Sequence, residues 1–279
     1  MPVYPISFSI PESKIVSDVP EKTKEIATII PGNLKTYIYS DEKEYNQDYQ
    51  RSLFGITCRK GGWDCLRHYE ILANGCIPKF IDLEKCPSTI MTHFPKELIK
   101  EANESENPKE YIPRLLQYTR EHLTCRAMAQ YILTAIGFPN PNRVLFISNN
   151  LKADYLRCLT LTGFKQLLGK RCADYPVIPH LYDDFKEVQS LYGKGFNYTR
   201  QLPAELKTYG VDIREIQNHD FDLVIYGSLH RGLPLWGLVN EFYKPSEIIM
   251  LCGEDDDHNR DCCKDYVEQG YQVFIRELL

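Results

Sequence analysis

Leu53-Phe54-Gly55-Ile56-Thr57-Cys58-Arg59-Lys60-Gly61-Gly62-Trp63-Asp64-Cys65-Leu66-Arg67-His68-Tyr69-Glu70 is the stretch on which the fold turns. Residues 53–58 are an apolar, partly β-branched run that reads as a strand, and the glycine pair at 61–62 ends it. From Asp64 to Asn74, the apolar positions Leu66, Tyr69, Ile71, Leu72 and Ala73 give a helix one buried face, and Gly75 stops it. Residues 76–83 then read as another strand. Strand, corner, helix and strand in that order make the crossover unit of a parallel sheet.

The same alternation extends outward. A short strand is expected at 35–40 and a polar helix at 41–52, with further helices at 94–104 and 110–136. Gly137-Phe138-Pro139-Asn140-Pro141-Asn142 reads as a linker. Beyond it come strands at 143–148, 222–226, 247–252 and 272–275, with helices at 151–168, about 233–243 and 259–269. The expected architecture is α/β, with two Rossmann-like domains facing a cleft. Residues 1–33 form an extended N-terminal arm in this reading, with domains at 34–138 and 139–279.

Composition narrows the function classes. Hydrophobic residues make up 43% and charged residues 25%, the balance of a globular protein. The net charge is −5 and no Lys/Arg block reaches five residues, which disfavours nucleic acid. No run approaches a membrane span. The ten cysteines include no CxxC pair, so structural zinc is not expected. The start, Met1-Pro2-Val3-Tyr4-Pro5, lacks the pattern of a signal peptide. Reduced thiols and a cytoplasmic location are the corresponding expectations.

In open α/β sheets, ligands sit where strands end and helices begin. Gly61 and Gly62 would let backbone approach a phosphate, and the following helix N-terminus offers N–H groups. Arg59, Lys60 and Arg67 supply cations for a diphosphate. Glu70 falls one turn after Arg67, where a carboxylate can accept ribose hydroxyl protons. Asp64 belongs to the same corner, and Trp63 offers a ring for stacking on a base or sugar. A plainer reading stands beside this: a simple turn, a surface Arg67–Glu70 pair and a core tryptophan.

Arg67-His68-Tyr69-Glu70-Ile71-Leu72-Ala73-Asn74-Gly75-Cys76-Ile77-Pro78-Lys79-Phe80-Ile81-Asp82 resembles the donor-binding motif of exostosin-type glycosyltransferases. The segment from Gly62 to Glu70 is also similar to glycosyltransferases of large DNA viruses of algae, where xylosyl transfer to capsid glycans occurs. The resemblance covers about residues 35–98. It implies a GT-B fold, a nucleotide-sugar donor (UDP-linked, with xylose the suggested sugar) and transfer to a glycan hydroxyl with inversion, no metal being required. Arg67 would neutralise the diphosphate and Glu70 would hold the ribose, while Gly75, Cys76 and Pro78 would shape the turn. Family members carry a membrane anchor and place this motif in their C-terminal half. The order here therefore implies permuted domains, with 143–279 on the acceptor side. A viral chain would act in the host cytoplasm, and a homodimer is left open.

Inverting transfer needs a base for the acceptor hydroxyl proton and cations for the leaving diphosphate. His230, beside Arg231 on a glycine-flanked turn after the strand at 222–226, is the first candidate. Asp183 and Asp184, in the loop 175–185, come next. All three are also ordinary loop residues. A rival reading takes Gly253-Glu254-Asp255-Asp256-Asp257-His258 as a metal site, with Asp255 and Asp257 holding Mn2+ or Mg2+ in a GT-A transferase. The bland account of that run is an acidic helix N-terminus. A methyltransferase on 143–279 would need a glycine-rich loop where Asn149-Asn150 stands. A non-catalytic nucleotide- or sugar-binding module fits the same residues.

Overall fold

The computed structural model describes residues 3–149, 152–208, 210–255 and 259–279, with the backbone alone at 259–262. The strands are β1 (Tyr4–Pro5), β2 (Lys24–Ile26), β3 (Ser52–Cys58), β4 (Ile77–Ile81), β5 (Val144–Ile147), β6 (Cys172–Tyr175), β7 (Leu223–Tyr226), β8 (Ile248–Cys252) and β9 (Gln272–Ile275). The helices are α1 (Glu42–Arg51), α2 (Leu66–Ala73), α3 (Lys96–Glu104), α4 (Ile112–His122), α5 (Cys125–Ala135), α6 (Tyr155–Leu168), α7 (Ile213–Gln217), α8 (Trp236–Phe242) and α9 (Asn259–Gln269). The strands make two parallel sheets, one in the order β1-β9-β8-β7-β5-β6 and a smaller one in the order β2-β3-β4.

β5, β7 and β8 are apolar throughout and buried at every residue. Runs of this kind suit strands covered on both faces. Alternate side chains divide accordingly. Phe146, Ile225 and Leu251 join Leu156, Leu159 and Phe164 of α6 in one core, which continues through Met128 and Leu115 to Tyr69 of α2 and Ile77 of the small sheet. Ile147, Val224 and Met250 pack on the other face with Val239 of α8 and Cys263 of α9. From β5 the chain goes to β6 on one side, then to β7, β8 and β9 on the other. The order reverses between β5 and β7, and this is the switch point where such sheets hold ligands.

The expected α/β class with parallel sheets is what the chain forms, with several local differences. Within the expected arm 1–33, the described residues 3–33 are largely extended, but they are tied into both sheets: β1 pairs with β9 and β2 with β3. Residues 35–40 form no strand; a 3-10 turn over Leu34–Thr36 stands there. Leu34 and Ile38 point to solvent while Tyr37 and Tyr39 face a cleft. The helix expected at 110–136 is two helices. Thr124 breaks it by capping α5, its hydroxyl accepting the Ala127 N–H at 3.1 Å. Gly75 ends α2 as expected, with φ +61° and a backbone bond from Cys76 N–H to the Ile71 carbonyl.

α5 and α6 join the two halves, and their crossing depends on Gly163. A Cβ there would overlap the Cys125 carbonyl oxygen and stand 2.6 Å from its carbon. Gly163→Ala should therefore destabilise the protein by about 1–3 kcal/mol, despite its better helix propensity. Gly237 in α8 has nothing within 4 Å of its Cβ position. Gly237→Ala should stabilise by about 0.5–1 kcal/mol. Urea unfolding of both variants checks the pair; equal effects would contradict the packing argument.

Candidate active-site cleft

The carboxyl ends of β3, β5, β7, β8 and β9 all open into one cleft of about 970 Å3. Lys60 to Gly62 follow β3, Lys152 to Tyr155 follow β5, and His230 and Arg231 follow β7. Asp255 and Arg276 come from the ends of β8 and β9. Residues 190–196 reach across from the larger sheet's side and face Tyr37, Tyr39 and Tyr45. Among the described residues, six lining side chains are cationic (Lys60, Arg67, Lys152, Lys194, Arg231, Arg276) and four are carboxylates (Asp64, Glu70, Asp154, Asp255). Two of these cations are paired within the lining, Arg231 with Asp154 and Arg276 with Asp255.

Arg67 and Glu70 both line the cleft. Arg67 donates to the Tyr37 hydroxyl at 2.9 Å and lies 5.0 Å from that ring's centre, while its buried Nε has no partner. Burial opposes its charge, but Tyr45, Tyr49, Cys65 and Glu70 favour it, and the net effect is a raised pKa. Lys60 stands 5.8 Å from the same Tyr37 ring. Glu70 is already engaged: Tyr45 donates to Oε2 at 2.5 Å and the Asn197 amide to Oε1 at 2.9 Å. Burial pushes the Glu70 carboxyl up, against the hydrogen bonds from Asn197 and Tyr45 and the charge of Arg67. Asn197 sits in the left-handed region at φ +62°, and its N–H is held by Glu42 at 2.8 Å.

The corner expected to cradle a phosphate is filled by the protein itself. Glu277, just past β9, accepts the N–H groups of Trp63 at 3.0 Å and Asp64 at 2.9 Å. A Cβ on Gly62 would collide with Glu277 and one on Gly61 with Asp255. These glycines admit carboxylates from the neighbouring sheet, a requirement that local sequence does not display. Asp64 is buried, accepting from Phe8 N–H at 2.6 Å and Tyr69 hydroxyl at 2.8 Å, so it is a structural acceptor. Burial pushes its carboxyl up to about 6, with Arg276 opposing. Trp63 is 8% exposed and stacks on Phe80 away from the cleft, and Arg59 lies over its outer face 5.5 Å from the ring centre. Neither lines the cavity, so the stacking and cationic roles expected of them are corrected.

Of the three candidate bases, the structure brings only His230 to the cleft. Asp183 and Asp184 are exposed and do not line the cleft. Asp183 accepts the Ala204 N–H at 3.0 Å, and Asp184 pairs with Lys207. His230 meets Asp154, which no expectation included: its Nε2 is 3.8 Å from Oδ2 of Asp154. The signal for Asp154 was present in the sequence as an acidic residue just before a helix and just after a strand. Burial lowers the His230 pKa, partly offset by Asp154 and Glu254. Burial also acts on Asp154, but Ser228, Arg157 and Arg231 outweigh it and hold that carboxyl below its usual range. Asp255 is tied to Arg276, whose buried guanidinium also bonds the Asp64 carbonyl at 2.6 Å. Asp256, Asp257 and His258, the rest of the expected metal run, lie outside the described residues.

Nine described cysteines are free thiols. No helix among the described residues is long and apolar enough to cross a membrane. Comparison with protein-family models, curated proteins and solved structures found no match.

Proposed function

We propose that the protein is a glycosyltransferase of the two-domain GT-B kind, binding a nucleotide-sugar in this cleft. The observation that carries the reading is the cation-rich, tyrosine-lined cleft at the carboxyl ends of both parallel sheets. Cations suit a diphosphate, and the tyrosines suit the sugar and base attached to it. The resemblance of residues 67–82 to the exostosin donor motif supports the same assignment. Arg67 and Lys60 neutralise the diphosphate, Glu70 reads the ribose, and His230 takes the acceptor proton. The donor is UDP-linked in this reading, with xylose the suggested sugar, and the acceptor is a glycan hydroxyl. Transfer proceeds with inversion in permuted domains, in the cytoplasm of the host if the chain is viral.

A thermal-shift series tests it. UDP at a hundredfold excess over its Kd should stabilise the fold by about 2.7 kcal/mol, a rise of roughly 5 °C for a chain of this size. The rise should not require Mn2+ or Mg2+. Arg67→Ala removes a charged donor worth about 1.5–3 kcal/mol and should abolish most of the rise. An undiminished rise in that variant removes the donor assignment, and a metal-dependent one favours the GT-A alternative through Asp255.

A further inference from the structure

We infer that Tyr192 is a specificity-determining residue, a ring on which the acceptor stacks a sugar unit beyond the one that is glycosylated. The acceptor class it implies is an oligosaccharide rather than a single sugar. This deepens the transferase reading and rests on it. Tyr192 lines the cleft and is 73% exposed. The other aromatic residues of the lining, Phe8, Tyr37, Tyr39, Tyr45, Tyr155 and Phe196, are buried or half-buried. Tyr192 leans on Tyr155, the ring centres 5.6 Å apart and the planes 47° from parallel. Tyr155 is itself packed against Tyr198 and Phe8, with centres 4.9 and 6.0 Å away. The exposed ring therefore stands at the end of an aromatic stack.

The segment that carries Tyr192 holds it in place. Gly193, Lys194 and Gly195 are consecutive residues in the left-handed region, with φ +61°, +56° and +73°. Glycine takes this conformation freely, but lysine does so only under strain. Three hydrogen bonds fix the turn. Lys194 Nζ donates to the Tyr39 carbonyl at 2.6 Å, the Gln189 amide to the Ser40 carbonyl at 3.1 Å, and the Tyr198 hydroxyl to the Tyr192 carbonyl at 2.9 Å. A Cβ on Gly193 would stand 2.6 Å from the Tyr155 hydroxyl oxygen, so glycine also lets the turn sit on that ring. Backbone strain locked by such contacts is a mark of ligand clamps. The fold gains nothing from a ring left in water, so the partner for this one comes from the cleft.

The chemistry of the ring selects that partner. A tyrosine face is flat, apolar and weakly negative. A pyranose presents slightly positive C–H groups on one face and keeps its hydroxyls in water at the rim. Tyrosine offers this contact area with little side-chain freedom to lose. Position then selects the acceptor over the donor. Arg67 and Lys60, which the diphosphate needs, gather on Tyr37 from the small-sheet half. Tyr155 instead follows Asp154, whose carboxylate lies 3.8 Å from His230 Nε2, so the aromatic pair stands on the side of the proposed base. The His230 side chain is only 16% exposed, and Tyr192 lies further out. A ring at the rim meets the part of a glycan that trails outside the reacting unit.

An array of defined oligosaccharides, from monosaccharides to tetrasaccharides, tests this with the full chain. The wild type should bind a subset of the chains and hold them more tightly than the matching single sugars. Tyr192→Ala should weaken that binding about 3- to 10-fold, the worth of one aromatic contact. Tyr192→Phe keeps the ring and should stay within about twofold. Because the side chain is largely in water, both variants should keep the wild-type urea midpoint. In transfer, the alanine variant should raise KM for an oligosaccharide acceptor by the same factor and leave kcat and KM for the donor alone. A wild type that binds no oligosaccharide, or binds chains no better than single sugars, overturns the proposal. So does an alanine variant that binds them as well as the wild type. Weakened UDP binding in that variant puts a nucleobase on the ring and overturns it too. The array needs neither donor nor turnover, so the two readings fail separately. Glycan binding through Tyr192 in a protein that ignores UDP sinks the transferase assignment, whereas UDP binding with glycans indifferent to Tyr192 sinks the platform.

Discussion

His230→Ala should reduce sugar transfer by about 10²- to 10⁴-fold, the usual worth of a positioned general base, while UDP still stabilises the fold. His230 and Arg67 line the same cleft on different loops, so the substitution should take away the proposed proton acceptor without disturbing the proposed diphosphate grip. The pH dependence follows from the sign of its shift. Burial disfavours the imidazolium more than Asp154 and Glu254 favour it, so its pKa lies below the ordinary value of 6.5. A base must be deprotonated, so kcat/KM should be level near neutrality and fall only below about pH 6.5. His230→Gln, which keeps a polar side chain, should be as inactive as the alanine variant. Retained turnover in either one would move the base to another residue.

Lys165→Met should unfold the protein more easily by about 3–5 kcal/mol, because it strands a buried carboxylate. Lys165 of α6 and Asp174 of β6 meet at 2.8 Å with side chains 0% and 1% exposed. Asp174 also accepts the hydroxyls of Tyr182, at 2.8 Å, and Thr208. Lys165 donates in addition to the Leu206 carbonyl at 2.8 Å. The network anchors both ends of the excursion between β6 and α7, and that excursion carries residues 190–196 to the cleft. Its loss should therefore loosen the cleft wall as well as the core. Urea unfolding of Lys165→Met, Asp174→Asn and the double variant forms a cycle, and a positive coupling is expected because the pair is buried. A cost below about 1 kcal/mol for Lys165→Met would place the pair with ordinary surface bridges.

The strand–corner–helix unit at 53–73 was legible because its pattern is local. Apolar spacing selects the helix face, and Gly75 reports a left-handed stop. The buried strands β5, β7 and β8 announced themselves as short apolar runs. β1, β2 and β6 did not, since two to four residues give no periodicity and gain their place from a neighbour's open edge. Arg67, Glu70 and His230 were expected at a site and do line one cleft. Asp183 and Asp184 failed because the orientation of a loop is set by what lies beneath it, here Leu202 and Ala204.

By itself, then, the sequence determined the parallel α/β class and the chemistry available at each loop, since both follow from residue type and short-range spacing. Tertiary structure decided which loops share a cavity. Only the folded chain brings Glu277 across 213 positions to the Asp64 amide and turns an apparent phosphate corner into an internal contact. Only it places Asp154 beside His230, 74 residues from the Ser228 that helps to hold it. The reason is physical: backbone propensity acts over a few residues, whereas a carboxylate's partner is chosen by sheet order and by the cost of burying charge alone.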